Sequence, residues 1–238
     1  MTTQGPGVCF LIHGESKVGK TWLGASGPRP VLFLDAEGGT RFLPYNTVQW
    51  DGLSEPPTYD GSWEVCIVPV RNFNTMQSTY QWLNSGKHPF KTVVIDSLSE
   101  VQQRCVDGIA GQNQMTQQNW GDLLRQMSAL VRSFRDLVTH PTAPLGAVVF
   151  IAMTRELNGR KIPYVQGQLG VTLPYYIDVV GYAFTQVGED GNVHRRLLVS
   201  HHPTFDAGDR TGRLGDVVDA PDVTQMLTTI HMKENRAQ

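Results

Sequence analysis

The stretch that most constrains this chain is its first apolar run, Val8-Cys9-Phe10-Leu11-Ile12, with the glycine-rich loop that follows it. Five consecutive apolar residues read as a strand buried on both faces, as in the interior of a parallel sheet. The loop, Gly14-Glu15-Ser16-Lys17-Val18-Gly19-Lys20-Thr21, fits the pattern G-x-x-x-x-G-K-[ST]. Its glycines permit backbone angles that turn successive N–H groups inward toward phosphate oxygens. Lys20 is placed to reach the β- and γ-phosphates, and the Thr21 hydroxyl to bind Mg²⁺. A short helix from Lys20 to about residue 26 aims its positive end at the same phosphates, and Gly27-Pro28 stops it. A glycine-rich turn alone would say little. Set between a buried strand and a helix, it implies ATP and Mg²⁺ as cofactors.

The rest of the chain repeats this alternation. Residues 31–35, 64–70, 92–96 and 146–152 are further strand-like apolar runs, and residues 74–85 read as a helix. Residues 97–140 are helical with one break, the Gly-, Gln- and Asn-rich segment 108–118. Leu123, Met127, Leu130, Val131 and Phe134 then recur at helical spacing and mark a face that packs on the sheet. Residues 155–170 are polar and too long for a tight connection. Residues 179–187 and 195–200 alternate as strands joined by a hairpin at 188–192, and residues 222–231 form a last helix. The pattern predicts an α/β fold, a mostly parallel sheet flanked by helices with antiparallel strands at one edge.

A length of 238 residues suits one such domain, spanning 1–238. No apolar run approaches the roughly 18 residues of a membrane span, and the first residues lack a signal peptide's basic and apolar parts, so the expected location is the cytosol, away from membranes. The net charge of −2 leaves any nucleic-acid site to a local patch. Cys9, Cys66 and Cys105 form no C-x-x-C pair and read as buried thiols. His201-His202 lacks metal-ligand spacing with Cys or acids.

Two carboxylates complete the candidate site. Asp96 ends the strand 92–96 and can hold Mg²⁺ through water. Glu37 lies two residues beyond the strand 31–35, at the tip of a strand expected beside the phosphate-binding loop, where it can accept a proton from an attacking water.

The run Pro30-Val31-Leu32-Phe33-Leu34-Asp35-Ala36-Glu37-Gly38-Gly39-Thr40, just after a short loop helix, resembles the RecA-like phage ATPases of single-strand annealing and recombination, the Sak-type family. In RecA-type proteins an acid after the second strand is the catalytic base, which the resemblance assigns to Glu37. The strand ending Asp96-Ser97 is similar to that of RecA and the hexameric helicases. Gly208-Asp209-Arg210-Thr211-Gly212 resembles their K-x-R-x-G element, which enters a neighbouring subunit's site, with Gly208 standing where Lys is expected. Arg210 alone carries that role, and Thr154 takes the place of the polar sensor beyond the strand 146–152. By position, two loops resemble DNA-contacting loops: residues 108–120 with Trp120, and residues 155–170 with Arg155, Arg160, Lys161 and Tyr164. The resemblance implies ATP hydrolysis, a homo-oligomeric ring or filament, single-stranded DNA and a single-strand binding protein as partners, and a host-cell cytoplasm. Two alternatives stay open: a nucleotide-gated scaffold that binds DNA or a protein partner with little turnover, and a small-molecule kinase.

Overall fold

The structure is a computed structural model and describes residues 5–232. Its first strand, β1 (Val8–Gly14), is buried along its whole length and leads through the loop into α1 (Lys20–Ala25). β2 (Val31–Asp35), the short β3 (Thr47–Gln49), β4 (Val65–Pro69), β5 (Thr92–Asp96) and β6 (Ala147–Ala152) follow. With β1 they form a parallel array in the order β1-β6-β5-β2-β4-β3. Between strands the chain forms α2 (Phe73–Asn84), α3 (Leu98–Ala110) and α4 (Gln117–Asp136). Asn72, Ser97 and Thr116 start these three helices by accepting a backbone N–H with their side chains.

Strand alternation divides the core into two layers. Cys9, Leu11, Leu32 and Leu34 point to the side covered by α2, α3 and α4. Val8, Phe10, Ile12, Val31 and Phe33 point to the side covered by α1 and a final helix, α6 (Val223–His231). Burial on both faces is why these strands carry continuous apolar runs. The three cysteines are free and buried. Among the described residues no helix is long and apolar enough to cross a membrane.

On the other side of β1 lies β9 (Val179–Val187), parallel to it and paired antiparallel with β10 (Val193–Leu198), as the sequence hairpin predicts. β11 (Gly208–Asp209) also pairs with β9, and β12 (Val217–Asp219) closes this edge on β10.

Three expectations are corrected. Residues 155–170 are not an open loop: β7 (Thr154–Leu157) and β8 (Arg160–Pro163) pair as a second hairpin, and α5 (Leu169–Thr172) follows. Its turn is Asn158-Gly159, both at positive φ, +52° and +74°, as a tight two-residue turn needs. The break in the long helical region is shorter than 108–118, since α3 runs to Ala110 and α4 begins at Gln117, so Trp120 stands in a helix's first turn. β2 is not beside the phosphate-binding strand, because β6 and β5 lie between them.

Candidate functional site

The parallel strands all end on one side, and the site is built there from their carboxyl ends, the usual place for ligands in such sheets. Gly14 ends β1 against β9: a Cβ on it would lie 2.4 Å from the Ala183 carbonyl oxygen, so only glycine fits. Gly19, at φ +100°, turns the chain into α1. Between them Lys17 takes a left-handed conformation, φ +64°. The loop thus wraps a cavity of about 540 Å³ that Lys20, Thr21, Glu37, Asp96 and Thr154 also line.

Lys20 reaches back over the loop, its Nζ donating to the carbonyls of Gly14 at 2.9 Å and Glu15 at 2.8 Å. Burial lowers its pKa from the ordinary value, opposed by the carboxylates of Asp96, Glu37 and Glu15. Thr21 donates its hydroxyl to Asp96 Oδ2 at 2.7 Å, joining the first turn of α1 to the tip of β5. Asp96 is almost fully buried, and that burial pushes its pKa up to about 7, against the Thr21 hydrogen bond and with help from Glu37 and Asp35. The hydroxyl and carboxylate are hard oxygen donors side by side, which fits a Mg²⁺ ion held by few protein ligands and a phosphate. Among the described residues no three His, Cys, Asp or Glu side chains gather as a metal centre of their own.

Glu37 arrives at this cavity from three strands away because its loop is shaped by Asp35. The Asp35 carboxylate accepts from Glu37 N at 3.2 Å, Gly38 N at 2.7 Å, Thr40 N at 3.3 Å and Thr40 Oγ1 at 2.5 Å. That turn carries Gly38 at φ +74° and directs Glu37 across β5, where Ser97 donates its hydroxyl to Glu37 Oε1. Asp35 and Ser97 are the positioning residues that pattern reading missed; the Asp-Ala-Glu-Gly-Gly run held the signal for the first.

Arg195 was missed as well. It projects from β10 over Gly19, where a Cβ would lie 3.0 Å from its Nε, and its guanidinium stands 5.8 Å from the Trp22 ring. It lines the phosphate-loop cavity and has no carboxylate partner among the described residues.

The remaining sequence candidates are placed as follows. Thr154 lines the cavity, but its hydroxyl lies 3.1 Å from both His13 Nδ1 and the Ile162 carbonyl. His13 Nε2 donates to the Asp206 carbonyl at 2.7 Å, and burial lowers the ring's pKa to about 4. Arg210 lies outside the cavity, beside the start of β9. It pairs with Asp178 at 3.1 Å and donates to the Tyr175 carbonyl at 2.9 Å, with its side chain 58% exposed. In the β7–β8 hairpin, Arg160 pairs with Asp206 at 3.0 Å and Lys161 with Glu15 of the phosphate loop at 2.6 Å. Arg155 faces the half-exposed Tyr164 ring at 5.6 Å and has no carboxylate partner among the described residues. Trp120 is also exposed, on α4. The sequence candidates therefore divide into a gathered set (Lys20, Thr21, Glu37, Asp96 and Thr154) and a dispersed one.

No curated protein matches the chain. A family model described as an AAA domain matches residues 7–211, from the start of β1 through β11. Together with the phosphate-binding loop and the mostly parallel α/β sheet, that match shows that this chain belongs to the AAA domain family of P-loop nucleoside triphosphatases.

Proposed function

We propose that this protein hydrolyses ATP with Mg²⁺, self-associates, and acts on single-stranded DNA in phage-type recombination or strand annealing. The observation that carries the hydrolytic part is Glu37, held by Ser97 on the wall of the cavity that Lys20, Thr21 and Asp96 line. A loop that only gripped a nucleotide would not need a carboxylate held there by a turn of four hydrogen bonds at Asp35.

In this reading Thr21 and Asp96 would hold the metal, which would supply charge neutralisation on the phosphates. Lys20 and the loop N–H groups orient the triphosphate. Glu37 accepts the proton of a water whose oxygen bonds to the γ-phosphorus; the bond to the bridging oxygen breaks and ADP leaves. Arg210 lies outside its own cavity with its side chain 58% exposed, which suits action on a neighbouring subunit. The DNA part rests on the resemblance of the strand 31–35 and its acid to the annealing ATPases, with Arg155 and Tyr164 of the hairpin as a cation and a stacking surface.

The test is ATP turnover with and without single-stranded DNA, beside Glu37→Gln. The amide keeps the shape but takes no proton, so nucleotide affinity should hold while turnover falls at least about 10²-fold. Turnover at the parent rate would remove Glu37 as the base. Tight nucleotide binding without turnover in the parent would make the chain a nucleotide-gated scaffold.

A further inference from the structure

Beyond Glu37, on the side away from Lys20, lies a second cavity of about 420 Å³ at the carboxyl ends of β2, β3 and β4. Three arginines from three separate elements converge on it. Arg41 comes from the single helical turn after β2, Arg71 from the chain just past β4, and Arg104 from α3. Arg41 and Arg71 are exposed and have no carboxylate partner among the described residues. Arg104 shares its charge with Glu100 one turn away, at 2.9 Å, while its Nε is buried without a partner. The acids on the same wall are Asp35, whose oxygens are occupied by four loop donors, and Glu37, bonded to Ser97.

The contrast with the β7–β8 hairpin decides where an anionic chain would be gripped. There, two of three cations are neutralised by Asp206 and Glu15, leaving Arg155. Here Arg41 and Arg71 keep their charge unpaired among the described residues, Arg41 donating only its Nε to the Gly38 carbonyl at 3.2 Å, and Arg104 shares its charge with Glu100. Phe42, adjacent to Arg41 with that guanidinium 5.7 Å from its ring, is 78% exposed and lines the neighbouring phosphate-loop cavity. Free guanidinium groups beside an exposed aromatic face are what a site that tracks a backbone and stacks a base requires. Arginine also forks two donors onto one phosphate, as lysine does not.

We propose that the cavity walled by Arg41, Arg71 and Arg104 binds the phosphodiester backbone of a single-stranded nucleic acid, with Phe42 as the adjoining base platform. The proposal rests on the single-stranded DNA reading above and gives it a different surface. Glu37 lines both cavities, so a phosphate held there sits on the far side of the group assigned to water activation.

The experiment is fluorescence anisotropy of a labelled oligo-dT across a salt series, with nucleotide and Mg²⁺ present. Each phosphate neutralised on a single strand contributes a slope of about −0.7 in log K against log salt. Arg41→Ala/Arg71→Ala should therefore bind more weakly, with the slope flattened by about 1.4. Arg41→Lys/Arg71→Lys keeps both charges and should retain the parent slope, which separates charge from a general loss of structure. If the alanine pair does not fold, Arg71→Ala alone should flatten the slope by about 0.7. Parent affinity and slope in a folded alanine variant would overturn this site and leave the single-stranded DNA reading standing. A parent that binds no oligonucleotide at low salt would overturn both.

Discussion

Acidification should destabilise this protein through His13, by an amount that follows from where the ring sits. His13 is the last side chain of β1 before Gly14, fully buried, with the Tyr182 ring 5.3 Å away and Lys20 contributing a repulsive charge. Burial holds its pKa at about 4 against an ordinary 6.5. Below 6.5 the unfolded chain takes up a proton that the folded chain refuses, so stability falls as pH drops through that value. Below about 4 both states are protonated and the loss stops. The whole window is worth about 3 kcal/mol, and the step from about pH 7 to about pH 5 takes about 2 kcal/mol of it. His88, also lowered to about 4 by burial, adds a loss of the same sign. Asp96, raised to about 7, acts oppositely, since the folded chain holds a proton that the unfolded chain releases. Both contributions are common to parent and His13→Gln and cancel in their difference. Urea unfolding at the two pH values should show the parent losing about 2 kcal/mol more than the variant. Parallel losses would refute the argument, whatever the absolute stability of the variant.

Arg195→Ala should weaken nucleotide binding by about tenfold or more, the scale of one hydrogen bond to a charged group, with the thermal midpoint of the nucleotide-free protein little changed. Titration calorimetry with ATP and Mg²⁺ reads it directly, and unchanged affinity would mean that Arg195 only covers Trp22. For Arg210, mixing Arg210→Ala with Lys20→Ala should restore part of the turnover that each lacks, since one mixed interface pairs an intact loop with an intact arginine. No recovery in a demonstrably mixed oligomer would leave Arg210 as the partner of Asp178.

What the sequence made legible follows from which signals are local. The strands β1, β2, β5 and β6 are buried on both faces, so each announces itself as an apolar run, and α4 does so by its 3.6-residue period. The phosphate loop, Thr21, Asp96 and Glu37 sit at fixed offsets from those strands and were readable with them. The β7–β8 hairpin was not, because half-exposed strands of Thr-Arg-Glu-Leu and Arg-Lys-Ile-Pro carry no apolar alternation. Its one local mark was Asn158-Gly159. Strand order is harder still: the insertion of β6 between β1 and β5 joins residues more than fifty positions apart and leaves no trace in any window. Arg195 over Gly19, and three arginines beside Glu37, are consequences of that order, and single-sequence patterns could not reach them.

The two bonds from Lys20 to its own loop set the terms on which any anion enters. An arriving phosphate does not meet a bare charge; the carbonyls of Gly14 and Glu15 hold two of the three N–H donors of the ammonium and leave one to give. What Lys20 adds to affinity is therefore the difference between two sets of partners, smaller than the gross attraction of ammonium for phosphate. The two carbonyl bonds keep the ammonium turned into the loop, and its third N–H is the donor that can pass from water to a phosphate oxygen. The same two bonds thus fix the shape of the loop and the direction of its charge.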